Sequence, residues 1–242
     1  MPIGGPDYGI YTPSEYLYPI STPFDHAIRQ GLISPMDGKG DIFWGDDFES
    51  GFGKWMAEGS HAENYAMITL ERSRSGTQSA RLSVPRVAGG WARISTTLEL
   101  PTLAQLGCEI HFTIPLDTRY VHLFFDYNDG ANRYRANITW WDFPRLNLED
   151  EFLGPVILDV TLPLTEMAST FFYALKLVIN PLTKKYVRLH IAGRDYDISA
   201  NDLEKAVLVQ PPSLYFEWDY LRVGAEATPS YVDDILLTTN EP

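Results

Sequence analysis

The chain has 242 residues, of which 45% are apolar and 13% aromatic, and carries a formal net charge of −13 with an isoelectric point near 4.7. That apolar content can bury a large core and excludes a disordered chain, while the acidic balance, with no Lys/Arg cluster, excludes a phosphate-backbone partner such as nucleic acid. No run of about 18 apolar residues is present, so no membrane-spanning helix is expected.

The chain opens Met-Pro-Ile-Gly-Gly-Pro, with neither a basic nor an apolar leader region. Residues 1–40 are punctuated by Pro2, Pro6, Pro13, Pro19, Pro23 and Pro35 among Tyr8, Tyr11, Tyr16 and Tyr18. Proline at that density interrupts helix and sheet ladders alike, which predicts an extended arm with one helical turn around Asp25 to Gln30. Such an arm either folds over its own domain or lies on a neighbouring subunit, where tyrosines give contact area at low entropy cost.

From Asp41 onward the pattern is one of strands punctuated by turns, over 41–49, 64–73, 78–85, 90–100, 107–115, 119–127, 133–142, 152–162, 171–180, 185–192, 194–198, 213–223 and 231–239. All-β sandwiches of 200–250 residues commonly form one unit, so 41–242 reads as a single antiparallel two-sheet jelly-roll sandwich. Cys108, the one cysteine, sits in the alternating run 107–114 as a small buried hydrophobe. Three hairpin turns are expected, at Tyr127-Asn-Asp-Gly-Ala131, Asn180-Pro-Leu-Thr-Lys184 and Ala192-Gly-Arg-Asp195. A helix is expected only over Asn201–Leu208, with Asn201 as N-cap and Glu204 as its capping-box partner. His111, His122 and His190 fall inside strand patterns with no metal or nucleophile spacing and read as structural.

The opening Asp46-Asp-Phe-Glu-Ser-Gly51 with Trp55, and the closing Tyr231-Val-Asp-Asp-Ile-Leu236, resemble the first and last strands of carbohydrate-binding modules and concanavalin A-like jelly rolls. Lys185–Asp197 resembles a hairpin of laminin-G-like and lectin-like sandwiches. The resemblance covers 41–242. Pairing of the terminal strands would bring Asp46, Asp47 and Glu49 together with Asp233 and Asp234, a carboxylate cluster that suits calcium. The resemblance implies Glu49 and either Asp233 or Asp234 as ligands of a structural calcium. It also draws attention to Glu217 and Asp219 in Phe216-Glu-Trp-Asp-Tyr-Leu221. They match the first two acids of the Glu-x-Asp strand of jelly-roll glucanases, but Leu221 and Arg222 stand where that family's final proton donor should be. Without it these two are weak catalytic candidates, and the bland reading makes them the solvated face of a strand that buries Phe216, Trp218 and Tyr220.

The segment 126–142 combines rings with planar polar groups, as sugar-contacting faces do, which nominates Tyr127, Asn128, Asp129, Tyr134, Arg135, Trp140 and Trp141 as contacts to a glycan or a partner. In strand geometry the adjacent Trp140 and Trp141 point to opposite faces, so at most one is core. Three functions follow, in order of preference. The first is a non-catalytic component of a larger assembly, such as a phage decoration, cement or fibre protein, that associates with itself or a protein partner through the arm. The second is a carbohydrate-binding module with calcium. The third is a jelly-roll glycoside hydrolase or lyase. The corresponding location is a virion or the extracellular space.

Overall fold

The computed structural model describes residues 39–84, 89–99, 104–114, 118–141, 145–159, 172–222 and 229–242. The arm tyrosines Tyr8, Tyr11, Tyr16 and Tyr18 and the side chain of Trp141 lie outside that set. Sixteen strands run through the described residues: β1 (Asp41–Asp46), β2 (Met56–Gly59), β3 (Tyr65–Thr69), β4 (Ser79–Ser83), β5 (Trp91–Glu99), β6 (Leu106–Phe112), β7 (Thr118–Asn128), β8 (Asn132–Trp141), β9 (Arg145–Asp150), β10 (Gly154–Asp159), β11 (Tyr173–Asn180), β12 (Lys185–Ile191), β13 (Arg194–Asp197), β14 (Glu204–Val207), β15 (Ser213–Arg222) and β16 (Ser230–Thr239).

They form two eight-stranded sheets. The first is ordered β13-β12-β11-β6-β16-β4-β3 with β1 also on β16; the second is ordered β10-β9-β8-β7-β15-β5-β2 with β14 also on β8. The first and last strands pair antiparallel from Asp41↔Thr239 to Asp46↔Ile235, which ties the two ends of the sandwich together. The fold is therefore the all-β jelly-roll sandwich that the strand rhythm predicts.

Turn chemistry follows the residue types. Asp129 Oδ1 accepts the N–H groups of Ala131 and Asn132, and Asn180 Oδ1 accepts those of Leu182 and Thr183, closing the β7–β8 and β11–β12 hairpins. The expected helix over 201–208 is absent. Its residues instead add β14 to the edge of β8, where Glu204 pairs with Arg135 and Val207 with Asn132. Eight residues of local propensity cannot match a free strand edge offering ladder hydrogen bonds, and tertiary context decides.

Alternation fills the core between the sheets. Phe112 of the first sheet sits 4.6 Å from Trp218 and 5.4 Å from Trp140 of the second, ring centroid to centroid. All three are fully buried, and truncating such a ring costs about 3–5 kcal/mol. Tyr127 and Tyr134 stack at 4.8 Å across their hairpin, fully buried, and the Tyr127 hydroxyl donates to Pro181 O at 2.7 Å. Cys108 is buried as expected.

Candidate functional site

In β5, β7, β8 and β15 every second side chain enters the core, so the intervening ones share the outer face of the second sheet. A cleft of about 920 Å³ opens there, with residues of β5, β7, β8 and β15 on its walls and Leu208, Gln210 and Pro211 at one end. A second cleft of about 340 Å³ adjoins it, and the His122 side chain lines both.

Strand register sets the rows of this face. Arg93 pairs with Asp219, Asp219 with His122, His122 with Thr139, and Thr139 with Asn147, so one row crosses β5, β15, β7, β8 and β9. At about 4.8 Å between strands the row is roughly 19 Å long. The next row runs Ser95, Glu217, Phe124 and Asn137, and the one after it Thr97, Tyr215, Asp126 and Arg135.

Charges on this face are unevenly partnered. Arg135 grips Asp126 in two-pronged fashion, from Nε at 3.0 Å and Nη2 at 2.8 Å, and its guanidinium lies 4.4 Å from the Phe124 ring centroid. Burial pushes the Asp126 carboxyl up to about 6 while Arg135 and Arg133 pull it down, so it is ionised at neutral pH beside its arginine. Glu217 accepts the Tyr215 hydroxyl and lies 3.3 Å from Arg93 Nη1. Burial, reinforced by that carboxylate, drives the Tyr215 hydroxyl up to about 12. Arg93 also bonds Glu58 from Nε at 2.7 Å and covers the Trp91 ring at 4.8 Å.

Other atoms on this face make no hydrogen bond among the described residues. Among the described residues Asp219 Oδ1, His122 Nε2 and Arg133 Nε are buried without a hydrogen-bond partner, as is Asn147 Oδ1 in the smaller cleft, although the Asp219 carboxylate accepts the Tyr220 N–H and Arg133 Nε lies 3.8 Å from Asp126. Burial, then the neighbouring Glu217, lifts the Asp219 carboxyl to about 7, and burial lowers the His122 imidazole to about 4. At neutral pH the imidazole is thus uncharged, and the Asp219 carboxyl is held toward its protonated form.

The contact residues nominated from 126–142 divide. Asn128 and Arg135 line the larger cleft. Tyr127, Tyr134 and Trp140 point the other way into the core and are corrected from contact residues to packing residues, because each falls on the inward phase of its strand. Asp129 spends its carboxylate on the hairpin turn. Glu217 and Asp219 do share a face, as read, but it is the cleft wall and not a solvated surface; Glu217 is only 5% exposed. His122, read as structural, stands directly beside Asp219 although 97 positions separate them, a juxtaposition only the sheet register reveals.

The terminal carboxylates do come to one end of the sandwich, but protein donors occupy them. Glu49 accepts Thr77 N and Gln78 N, each at 2.6 Å, and Asp47 accepts Glu49 N at 3.1 Å. Asp233 accepts Arg74 N at 2.6 Å, and Asp234 accepts Arg74 Nη1 at 2.5 Å and Ser75 Oγ at 2.6 Å. A guanidinium, two hydroxyls and six backbone amides take the place a cation would need, so this donor set does not fit calcium. Among the described residues no group of three or more His, Cys, Asp or Glu side chains is arranged to hold a metal ion.

No family model matches the chain, and no curated protein matches its sequence. Solved structures do match. Alginate lyase vAL-1 from Chlorella virus aligns over 82% of this chain and 100% of its own, with a TM-score of 0.56 and 7% identity. The likeness is one of fold. The lumenal domain of VIP36 bound to Ca2+ and Man3GlcNAc covers 80% of this chain and 87% of its own (TM-score 0.48, 11% identity). Lectin I-B4 of Griffonia simplicifolia, in its metal-free form, covers 82% and 97% (TM-score 0.47, 12% identity).

Proposed function

We propose that this chain binds a polysaccharide along the groove formed by the two adjoining clefts on the second sheet. The observation that carries the reading is the set of unpartnered buried atoms on Asp219, His122, Arg133 and Asn147, spread over both clefts. A buried polar atom left unpaired costs about 1–3 kcal/mol, so four on one face are a cost that ligand hydroxyls would relieve. Trp91, Tyr120 and Tyr215 add ring faces of the kind that sugars stack on. Affinity electrophoresis against immobilised neutral and acidic polysaccharides tests the reading. Retardation by at least one polymer that weakens on Arg133→Ala is expected; no retardation by any would refute it.

The proline- and tyrosine-rich segment 1–40 supports a second reading, compatible with the first: the sandwich at 41–242 is carried on a larger particle, virion or extracellular, through this arm. Light scattering on the full chain and on a version lacking 1–40 decides it. The full chain should be oligomeric and the truncated one monomeric; two monomers would remove self-association. A structural calcium at Asp47, Glu49, Asp233 and Asp234 would have to displace the Arg74 guanidinium. If it does so, thermal unfolding must shift upward with added calcium and back with chelator.

A further inference from the structure

We infer that the centre of this groove is a β-elimination site for a 1→4-linked hexuronate chain, with His122 as the base and Asp219 as the acid. The inference rests on the polysaccharide reading above and adds a substrate class and a reaction.

Geometry comes first. His122 and Asp219 are direct cross-strand neighbours on one face of β7 and β15, which puts their Cβ atoms about 4.5–5.5 Å apart. Each has a polar atom with no hydrogen-bond partner among the described residues. One is an imidazole that burial keeps unprotonated; the other is a carboxyl that burial keeps partly protonated. An acid and a base side by side on one wall suit a reaction whose two proton transfers occur on the same side of a sugar ring. Hydrolysis by two carboxyl groups needs them on either side of the glycosidic bond, at about 5 Å or more.

The substrate class follows from what a carbon-bound proton requires. In a neutral sugar the hydrogen at C5 is not acidic enough for an imidazole to remove. In a uronate the attached carboxylate can take up the developing negative charge, provided a cation or donor lies against it. Arg133 meets that need: its buried Nε makes no hydrogen bond among the described residues and only a long ion pair, 3.8 Å, to Asp126, while Arg93 and Arg135 flank the same cleft. The cleft also holds Asp126, Glu217 and Asp219, and Arg135 is paired with Asp126 and Arg93 with Glu58 and Glu217, so Arg133 is the guanidinium with the most donor capacity left for a uronate carboxylate.

The step balances without a co-reactant. His122 Nε2 takes the C5 proton; the electron pair forms the C4=C5 double bond; the C4–O bond breaks; and the departing glycosidic oxygen receives the Asp219 proton. One product ends in an unsaturated uronate and the other in a new reducing end. Transfer of one proton from His122 to Asp219 through solvent restores the site.

The test incubates the full-length protein with polymannuronate, polyglucuronate and polygalacturonate, with a neutral β-glucan as control. The ultraviolet absorbance of the unsaturated product and the yield of reducing ends are followed together. Both should rise in step on at least one acidic polymer and on none of the glucan. His122→Ala and Asp219→Asn should each lower kcat roughly 10²- to 10⁴-fold, the usual worth of a general base or acid. Binding by affinity electrophoresis and the unfolding midpoint show whether each variant is folded, and His122→Gln serves if the alanine variant is not. Reducing ends without absorbance would mean hydrolysis and overturn the inference. Wild-type binding without cleavage of any acidic polymer would overturn it and leave the groove reading intact; absence of binding to every polymer would overturn both.

Discussion

Replacing Asp219 by asparagine should stabilise the protein at neutral pH while disabling the proposed chemistry. Burial, together with the charge of Glu217, lifts this carboxyl from its ordinary 3.8 to about 7. The folded state therefore holds the proton more tightly than the unfolded chain does. That preference favours folding in full below about pH 4 and is lost as pH rises through about 7. Three pH units at 1.36 kcal/mol each set an upper bound of about 4 kcal/mol. Asparagine never ionises, so relative to wild type the variant should gain stability progressively from about pH 4 and level off above about pH 7. Urea denaturation of both proteins across that range measures the difference directly. Glu217→Gln removes the neighbouring negative charge, so the asparagine substitution should gain less in that background. A wild-type-minus-variant difference that does not change with pH, or a variant less stable than wild type at about pH 8, would refute the claim that Asp219 is forced to carry its charge in a poorly solvated wall.

Two further outcomes test the scaffold behind the groove. Arg74→Ala should cost about 3–5 kcal/mol by urea denaturation, because it leaves the fully buried Asp234 without its guanidinium. Tyr186→Phe should cost about 1–3 kcal/mol in the same assay. The buried Tyr186 hydroxyl crosses from the first sheet to donate to Glu149 O at 2.7 Å and accept Asn137 N at 2.9 Å, so its loss leaves backbone groups of the second sheet unpaired.

Thirteen of the sixteen strands are legible from alternation and turn residues, and those not legible have physical reasons. Strand β2, Met56-Ala-Glu-Gly59, is four residues of weak strand formers held by β5. Strand β9, Arg145–Asp150, alternates well, but Pro144 just before it and the Glu-Asp pair at its end read as loop. Strand β14 looks helical because Asn201 and Glu204 mimic a capping box; the open edge of β8 overrides them. Trp140 and Tyr134 look like contact residues because aromatic composition says nothing about phase. Whether a ring faces the core or the cleft depends on a one-residue offset along the strand.

The groove was half legible for a different reason. Glu217 and Asp219 share a strand, so their common face follows from a period of two. Their neighbours do not. Arg93, His122 and Thr139 lie on three other strands, and only the pairing of β15 with β5 and β7, and of β7 with β8, draws them into one row with Asp219. A lone histidine in a strand pattern is correctly taken as structural until its cross-strand partner is known. Here that partner is a carboxyl with an unbonded oxygen. Searching a sequence for adjacent acid, base and cation would have failed, because an antiparallel sheet assembles its chemistry perpendicular to the chain. Along that row Asp219 Oδ1 and His122 Nε2 make no hydrogen bond among the described residues, whereas further along the same face Arg135 closes on Asp126 with two parallel bonds, so rows of one sheet differ in how far their polar groups are satisfied.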